Sequence, residues 1–182
     1  RGRLAVSKQA EWQGQLVQAE VDTQAAGRWR LQSPAALRLS ATAQKLSRQC
    51  WQQQPYTICA DASLDAERWR AQVALDGGSL GNAALTLRRN PRQAEPPLDA
   101  DVVINALNLD ALPVALPRGL SLAGRVTGKL TLAGSLKQPR ADGQLAWLDG
   151  AVKLPEFAID WRPISLTANF SGDRVSWTGD LR

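Results

Sequence analysis

The sequence predicts an all-β protein in which one long sheet curls around a hydrophobic interior groove, with little or no helix. Three observations predict this fold. Apolar and polar side chains alternate with a two-residue period, the alternation returns in short segments bounded by turns, and the apolar positions are rich in Leu, Val, Ala and Gly. Glycine permits the sharp bending that a curled sheet requires.

The alternation is clearest in LSLAGRVTGKLTLAGSL, residues 120–136. A strand turns successive side chains to opposite faces, so this segment has one apolar and one polar face. The apolar face carries Leu120, Leu122, Val126, Leu130, Leu132 and Leu136. Because a strand averages about 5 to 6 residues, we expect two or three consecutive strands here, bent at Gly124, Gly128 and Gly134.

The same period recurs along the chain and predicts about nine to twelve strands. The other alternating segments are 12–16, 17–21, 37–43, 69–75, 83–87, 98–104, 157–161, 164–170 and 175–181. A turn is expected at DGGSLGN, residues 76–82, and a proline-rich loop at about 90–97. Residues 41–50 finish a strand or form one helical turn, and prolines limit residues 109–117 to a short turn.

Many amphipathic strands without a covering helix form a two-sheet sandwich, a closed barrel or one curled sheet. The curled sheet fits best, because the inward positions are mainly Leu, Val, Ala and Gly, with a Trp in phase on several strands. We expect a single β-rich domain over residues 1–182. The chain begins without Met and ends on a strand-like alternation, so we interpret it as an internal fragment of a longer protein.

The net charge of +5 comes mainly from residues 1–50, which carry eight basic and three acidic side chains. A basic excess favours phosphate-rich surfaces, but a nucleic-acid binder clusters its cations with stacking aromatics in a recognisable module. The Arg and Trp alternation in GRWRL (27–31) and ERWRA (67–71) instead indicates amphipathic strands with Trp inside. We therefore expect no nucleic-acid partner.

The chain has two cysteines, Cys50 and Cys59, in CWQQQPYTIC. With no His and two Cys it cannot assemble the usual four-ligand zinc set, and the spacing does not match a CxxC redox motif. Two interpretations remain: free thiols, or a disulfide closing a small loop at a hairpin tip. A disulfide here contributes roughly 2.5 to 3 kcal/mol and implies an oxidising compartment such as the periplasm.

No pattern indicates an enzyme. His, the commonest general base, is absent, and no phosphate-binding glycine motif occurs. Asp142 and Asp149 lie beside glycines and are typical turn residues, and Ser165 and Ser171 lack a nucleophile motif. We expect no catalytic residue, no metal site and no cofactor.

The segment GKLTLAGSLKQPRADGQLAWLDGAV, residues 128–152, has the pattern G-x-L-x-L-x-G-x-L-x-x-P-x-x-x-G-x-L-x-x-x-x-G. This pattern resembles the repeat of the TamB family, in the AsmA-like group. Residues 50–75 and 111–130 also resemble the central to C-terminal part of these proteins. The resemblance covers roughly residues 50–152.

The resemblance implies a U-shaped β-taco in the periplasmic shaft of an inner-membrane-anchored protein of a Gram-negative bacterium. Family members work with TamA, an Omp85-type barrel. Their proposed roles are phospholipid transport to the outer membrane and assembly of outer-membrane proteins such as autotransporters. Because the fragment lacks the family's membrane anchor and its extreme C-terminal region, contact with TamA is expected through the full-length protein and not through this piece.

We expect the groove to hold acyl chains of phospholipid, with headgroups at its open edge. The expected groove residues are Leu120, Leu122, Val126, Leu130, Leu132, Leu136, Leu145, Trp147, Phe157 and Ile159. Three alternatives stay open. These residues pack as a dry core, the sheet holds unfolded outer-membrane β-strands by strand addition, or the segment is a structural spacer.

Overall fold

The computed structural model describes residues 2–5, 11–24, 27–65, 68–89, 97, 99–112, 116–117, 119–135 and 138–181. These residues form one antiparallel sheet of fourteen strands. Two short 3-10 turns, Gly78–Leu80 and Pro155–Phe157, connect strands, and the described part of the chain contains no α-helix. The prediction of an all-β fold is confirmed.

The strands follow the alternating segments of the sequence, because a two-residue period gives each strand one apolar face. The strands are β1 (Gly2–Ala5), β2 (Glu11–Leu16), β3 (Glu20–Thr23), β4 (Gly27–Leu31), β5 (Ala35–Ser40), β6 (Gln44–Gln53), β7 (Tyr56–Leu64), β8 (Trp69–Asp76), β9 (Asn82–Arg89), β10 (Asp99–Asn108), β11 (Ser121–Gly134), β12 (Pro139–Leu154), β13 (Ile159–Gly172) and β14 (Arg174–Leu181).

The sheet is a meander with one branch. Its main path runs β1-β2-β5-β6-β7-β8-β9-β10-β11-β12-β13-β14. The β3–β4 hairpin joins the sheet through β6, which pairs with β5 over residues 44–46 and with β4 over residues 51–52. Among the described residues β1 and β14 do not pair, so the sheet is open rather than closed into a barrel.

Several local expectations differ from the structure. Residues 120–136 were expected to form two or three strands, but 14 of these residues form the single strand β11. Gly124 and Gly128 lie inside β11 at positive φ, so they bend the strand without ending it. Of residues 41–50, those from Gln44 onward belong to β6, so no helical turn forms there.

The three remaining loop predictions have different outcomes. The predicted turn at residues 76–82 is confirmed, because the 3-10 turn Gly78–Leu80 connects β8 to β9. Residues 109–112 form a turn in which the Leu112 amide donates to the Leu109 carbonyl at 3.4 Å. The proline-rich loop lies outside the described residues apart from Pro97.

Bulges and glycines curl the long strands. The register shifts between Ile104 and Leu107 of β10, and again within the β11–β12 and β12–β13 ladders. Bulges increase the local twist of a sheet. Gly128 and Gly143 have φ values of +151° and +135°, and a Cβ at either position would overlap a main-chain oxygen of the neighbouring strand. The curled sheet predicted from glycine-rich apolar positions is confirmed.

The sheet exposes much more surface than a compact domain. Its accessible surface is 12660 Å², whereas a compact globular protein of this mass exposes about 8,600 Å². Six apolar residues are buried in the described part of the chain: Trp29, Ala35, Tyr56, Ala100, Leu107 and Ile164. A single open layer accounts for both observations, because one sheet cannot bury both of its faces.

Cys50 and Cys59 form a disulfide between β6 and β7. The two residues are directly opposed in the ladder, and the turn of this hairpin lies at Gln54 and Pro55. The disulfide alternative is therefore the correct one. The cysteines lie within paired strands and not in the hairpin tip itself.

Candidate hydrophobic face of the sheet

The strand register aligns apolar side chains into rows across the sheet, because directly opposed residues project from the same face. Two such rows cross β7 to β14, and we call them the apolar rows. The first row is Ile58, Leu75, Ala83, Ile104, Gly128, Leu145, Ala168 and Trp177. The second row is Ala60, Val73, Leu85, Val102, Leu130, Gly143, Phe170 and Val175.

The apolar rows contain no polar side chain over eight strands. Seven strand spacings of about 4.8 Å give them a length of about 34 Å. A third row beside them runs from Ala62 to Gly172 and includes Leu132. We call the surface formed by these three rows the apolar face.

The opposite face of the same strands carries most of the polar side chains, which form cross-strand hydrogen bonds. The Gln144 side-chain amide donates to Asn169 at 2.7 Å, and the Asn105 amide donates to Asn82 at 2.8 Å. Thr131 lies on the same face and donates to Asp101 at 3.0 Å. The two faces therefore have different chemistry.

Most of the predicted groove residues lie on the apolar side of β11 and β12. Leu130 and Leu132 belong to the rows described above, Leu145 is opposed to Gly128, and Val126 is opposed to Trp147. Leu122 is opposed to Val152 beyond the bulge. The extra residue at the bulge lies on β12, so the alternation of β11 continues without a break and its apolar side chains stay on one face along the whole strand.

The other predicted groove residues lie elsewhere. Leu120 immediately precedes β11, and Ile159 begins β13 opposite Leu154. Phe157 was expected in a strand, but it lies in a 3-10 turn and its side chain is 70 % exposed. Leu136 lies outside the described residues. The structure thus brings six of the ten together on two neighbouring strands, whereas the lipid-binding role of the set stays a prediction.

Trp147 is held in a fixed orientation at one end of these strands. Its indole nitrogen donates to the Ala123 carbonyl at 3.0 Å across the β11–β12 ladder. A Cβ at Gly124 or at Gly150 would overlap the indole ring, so both glycines make room for it. Trp147 therefore covers the bulge and presents a rigid apolar surface beside Val126.

Several apolar-face residues were not singled out from the sequence. Val102, Ile104, Phe170 and Trp177 occur in segments recognised as strands, but alternation alone does not say which strands are neighbours. Trp177 is 71 % exposed on the last described strand, β14. In the structure, this exposed ring on a strand with one described ladder partner marks Trp177 as part of an uncovered apolar surface.

Tyr56 is fully buried at the end of the apolar face where β7 begins. Its ring occupies the space beside Gly77, where a Cβ would overlap it. Its hydroxyl has no hydrogen-bond partner in the described part of the chain. Burial raises the pKa of Tyr56 above its usual value, and the nearby Asp110 carboxylate raises it further.

Replacing Tyr56 by Phe is expected to leave stability unchanged or to raise it by about 1 kcal/mol, because an unsatisfied buried hydroxyl is removed. The raised pKa of Tyr56 favours the neutral side chain in the folded state. Its contribution to stability is present below pH about 10, the pKa of an unperturbed Tyr, and is lost as pH rises through the folded pKa.

Urea unfolding at neutral and alkaline pH measures this effect, with Tyr56→Phe as the control for all other titrating groups. Because the chain has one Tyr, tyrosinate absorbance reports its ionisation directly. Ionisation of the folded protein near pH 10, as for free tyrosine, contradicts the prediction.

The described residues contain no cluster of His, Cys, Asp or Glu that could hold a metal ion. The same part of the chain contains no helix that is long and apolar enough to span a membrane. The ion pairs are exposed, as between Arg125 and Asp149, and contribute little to stability.

Comparison with known proteins bears on this apolar, open sheet. No solved structure matches the chain. Residues 60–147 match the family model described as TamB, N-terminal domain. The matched region belongs to the TamB family. It covers β8 to β11 entirely, together with just over half of β7 and just over half of β12.

TamB family membership indicates a periplasmic, envelope-associated protein with a role in outer-membrane biogenesis. The family is a non-enzymatic component of transport and assembly. The sequence resemblance pointed to the central to C-terminal part of TamB proteins, but the matched model describes the N-terminal domain. That placement within the family is corrected accordingly, whereas the family itself is confirmed.

Proposed function

We propose that the apolar face carries the acyl chains of phospholipids between the inner and outer membranes. The observation that carries the proposal is the pair of apolar rows, which cross eight strands without a polar residue. In this proposal TamA engages the full-length protein and not this segment.

The energetic reason is the cost of hydrocarbon in water. Each exposed CH₂ costs about 0.8 kcal/mol, so a free phospholipid crosses an aqueous gap very slowly. The apolar rows are about 34 Å long, which exceeds the thickness of one hydrocarbon leaflet, about 15 Å. An acyl chain therefore lies on the rows without a fixed position and slides between equivalent contacts.

The incomplete burial of the rows supports an occupant from outside the sheet. Val73 is 38 % exposed and Val175 is 57 % exposed, and both belong to the second apolar row. All fourteen described strands belong to the one sheet, so no second layer of described strands covers this face. A lipid chain on the rows removes this surface from water.

A photo-crosslinking side chain in the full-length protein in cells tests the proposal. Positions 130 and 132 lie on the apolar face, and positions 129 and 131 alternate with them on the polar face of the same strand. We expect phospholipid adducts at 130 and 132 and none at 129 and 131. Equal adduct formation at all four positions contradicts the proposal.

A charge on the apolar face should block the route. Leu130→Arg is expected to reduce the adduct at position 132 at least tenfold, because hydrocarbon then meets a desolvated cation, whose burial costs several kcal/mol. Thr131→Arg is the matched control, since its side chain lies on the polar face. An equal effect of both variants indicates misfolding and counts against a specific route.

Strand addition is a second candidate function, favoured by the edge of β14. Among the described residues β14 pairs with β13 alone, and it presents the exposed Val175 and Trp177. An unfolded outer-membrane protein adds to such an edge through main-chain hydrogen bonds. Polypeptide adducts in place of phospholipid adducts, concentrated at β14, would favour this function over lipid passage.

A further inference from the structure

The polar face of the sheet carries a line of cations across neighbouring strands. Successive ladders oppose Arg38 of β5 to Lys45 of β6, Lys45 to Ser63 of β7, Ser63 to Arg70 of β8, and Arg70 to Arg88 of β9. We call the four cations Arg38, Lys45, Arg70 and Arg88 the cationic row. All four side chains are exposed, and the row spans about 19 Å.

This arrangement opposes like charges twice. Arg38 faces Lys45, and Arg70 faces Arg88, and like charges directly opposed across strands destabilise a sheet. The other charged residues opposed in the described ladders are of opposite sign. Examples are Glu20 with Arg30, Asp22 with Arg28, and Lys153 with Asp160. The like-charge pairs are therefore concentrated in one row.

Within the described residues, carboxylates neutralise one member of the row. Arg88 contacts Asp99 at 3.0 Å and Asp101 at 2.8 Å, and these carboxylates raise its pKa. Arg38, Lys45 and Arg70 have no ion pair in the described part of the chain. Three exposed cations thus remain without a counter-charge from the described residues.

The charge is also asymmetric along the strands. The cationic row lies near the margin where β7 and β9 end. Arg68 and Arg89 add two exposed cations there, against the acids Glu11, Asp65 and Asp99. At the opposite margin, the described residues 52–56, 76–82 and 105–112 contain two acids and no cation. One margin of this part of the sheet is therefore basic.

We propose that the cationic row docks this margin on the anionic surface of a phospholipid bilayer. Lys and Arg near such a surface each strengthen binding by electrostatic attraction. The neighbouring polar-face positions are Gln13, Ser63, Gln72 and Thr86, together with the carboxylates of Asp61, Asp99 and Asp101. They offer no aromatic ring for stacking a nucleic-acid base. The envelope setting of the TamB family brings the chain close to membranes.

Vesicle co-sedimentation of the whole chain tests the docking surface. Vesicles of phosphatidylethanolamine with phosphatidylglycerol as a minority component are compared with vesicles of neutral lipid alone. We expect binding to the anionic vesicles that weakens with salt. The triple variant Arg38→Gln, Lys45→Gln, Arg70→Gln should weaken binding about fivefold per cation, or about a hundredfold in total.

The matched control removes three cations from the polar face of β11 and β12: Arg125→Gln, Lys129→Gln and Lys153→Gln. Both triple variants lower the net charge equally. If the cationic row is the docking surface, the control variant should retain its binding to anionic vesicles. Thermal unfolding should show the row variant to be at least as stable as the original, because opposed like charges are removed. Loss of binding then does not reflect unfolding.

Three results would overturn the proposal. They are equal binding to neutral vesicles, an equal loss in both triple variants, and binding to heparin or single-stranded DNA without binding to anionic vesicles. The proposal does not depend on lipid passage along the apolar face. Leu130→Arg is expected to reduce the lipid adduct at position 132 while leaving vesicle binding intact, so failure of one proposal is distinguishable from failure of the other.

Discussion

Replacing Gly128 by Ala is expected to destabilise the sheet by about 3 kcal/mol or more. A Cβ at this position would overlap the main-chain oxygen of Gln144 on β12, and a φ of +151° is rarely adopted by other residues. The backbone conformation alone costs about 1 to 3 kcal/mol, and the overlap forces the two strands apart. Urea unfolding monitored by tryptophan fluorescence measures the effect.

Gly143 of β12 makes the reciprocal close approach to the main chain of β11. A Cβ at Gly143 would overlap the main-chain oxygen of Lys129, so Gly143→Ala should cost about as much. Gly172→Ala is the matched control, because Gly172 has a φ of +63° but nothing lies within 4 Å of its added Cβ. We expect about 1 kcal/mol for the control. Equal costs at positions 128 and 172 would show that close approach of the strands is unimportant.

Removing the Cys50–Cys59 disulfide is expected to lower the free energy of unfolding by about 2.5 to 3 kcal/mol. The bond joins residues 9 apart in sequence, and the value follows from the loop entropy that the bond removes from the unfolded chain. Urea unfolding of Cys50→Ala, Cys59→Ala against the oxidised chain measures the difference.

A reductant provides the internal control for this second prediction. It should destabilise the original chain to the level of the double variant and leave the double variant unchanged. The contribution is large for this sheet, because six apolar residues are buried in its described part and whole proteins have a net stability of only about 5 to 15 kcal/mol. Unchanged stability in the double variant would show that the register of β6 and β7 holds without the bond.

Alternation predicted the faces of this sheet correctly because its physical cause is local. Leu130 and Leu132 project from the face opposite to Lys129 and Thr131, because successive side chains of an extended strand alternate between the two faces. The same logic predicted the turn at residues 76–82. Glycine in apolar positions indicated bending, and the positive φ of Gly128 confirms it.

Register could not be predicted in the same way, because pairing depends on contacts between distant residues. The alignment of Leu130 with Val102 and Gly143 brings three strands together that are separated in sequence by loops. Bulges add a second difficulty. The extra residue of β12 beyond Trp147 places Val152 on the same face as Trp147, although simple alternation assigns them to opposite faces. Phe157 was misplaced because Pro155 begins a 3-10 turn inside an otherwise alternating segment.

The main inter-strand contacts in the described sheet join each strand to its ladder neighbours. Stability in such an assembly is close to a sum of nearest-neighbour terms, as in solenoid repeat proteins. A hairpin is then an interchangeable unit, and evolution can lengthen or shorten the assembly two strands at a time while its cross-section stays constant. Local opening should begin at the outermost strands and progress inward, so amide hydrogen exchange is expected to slow from β14 toward the centre.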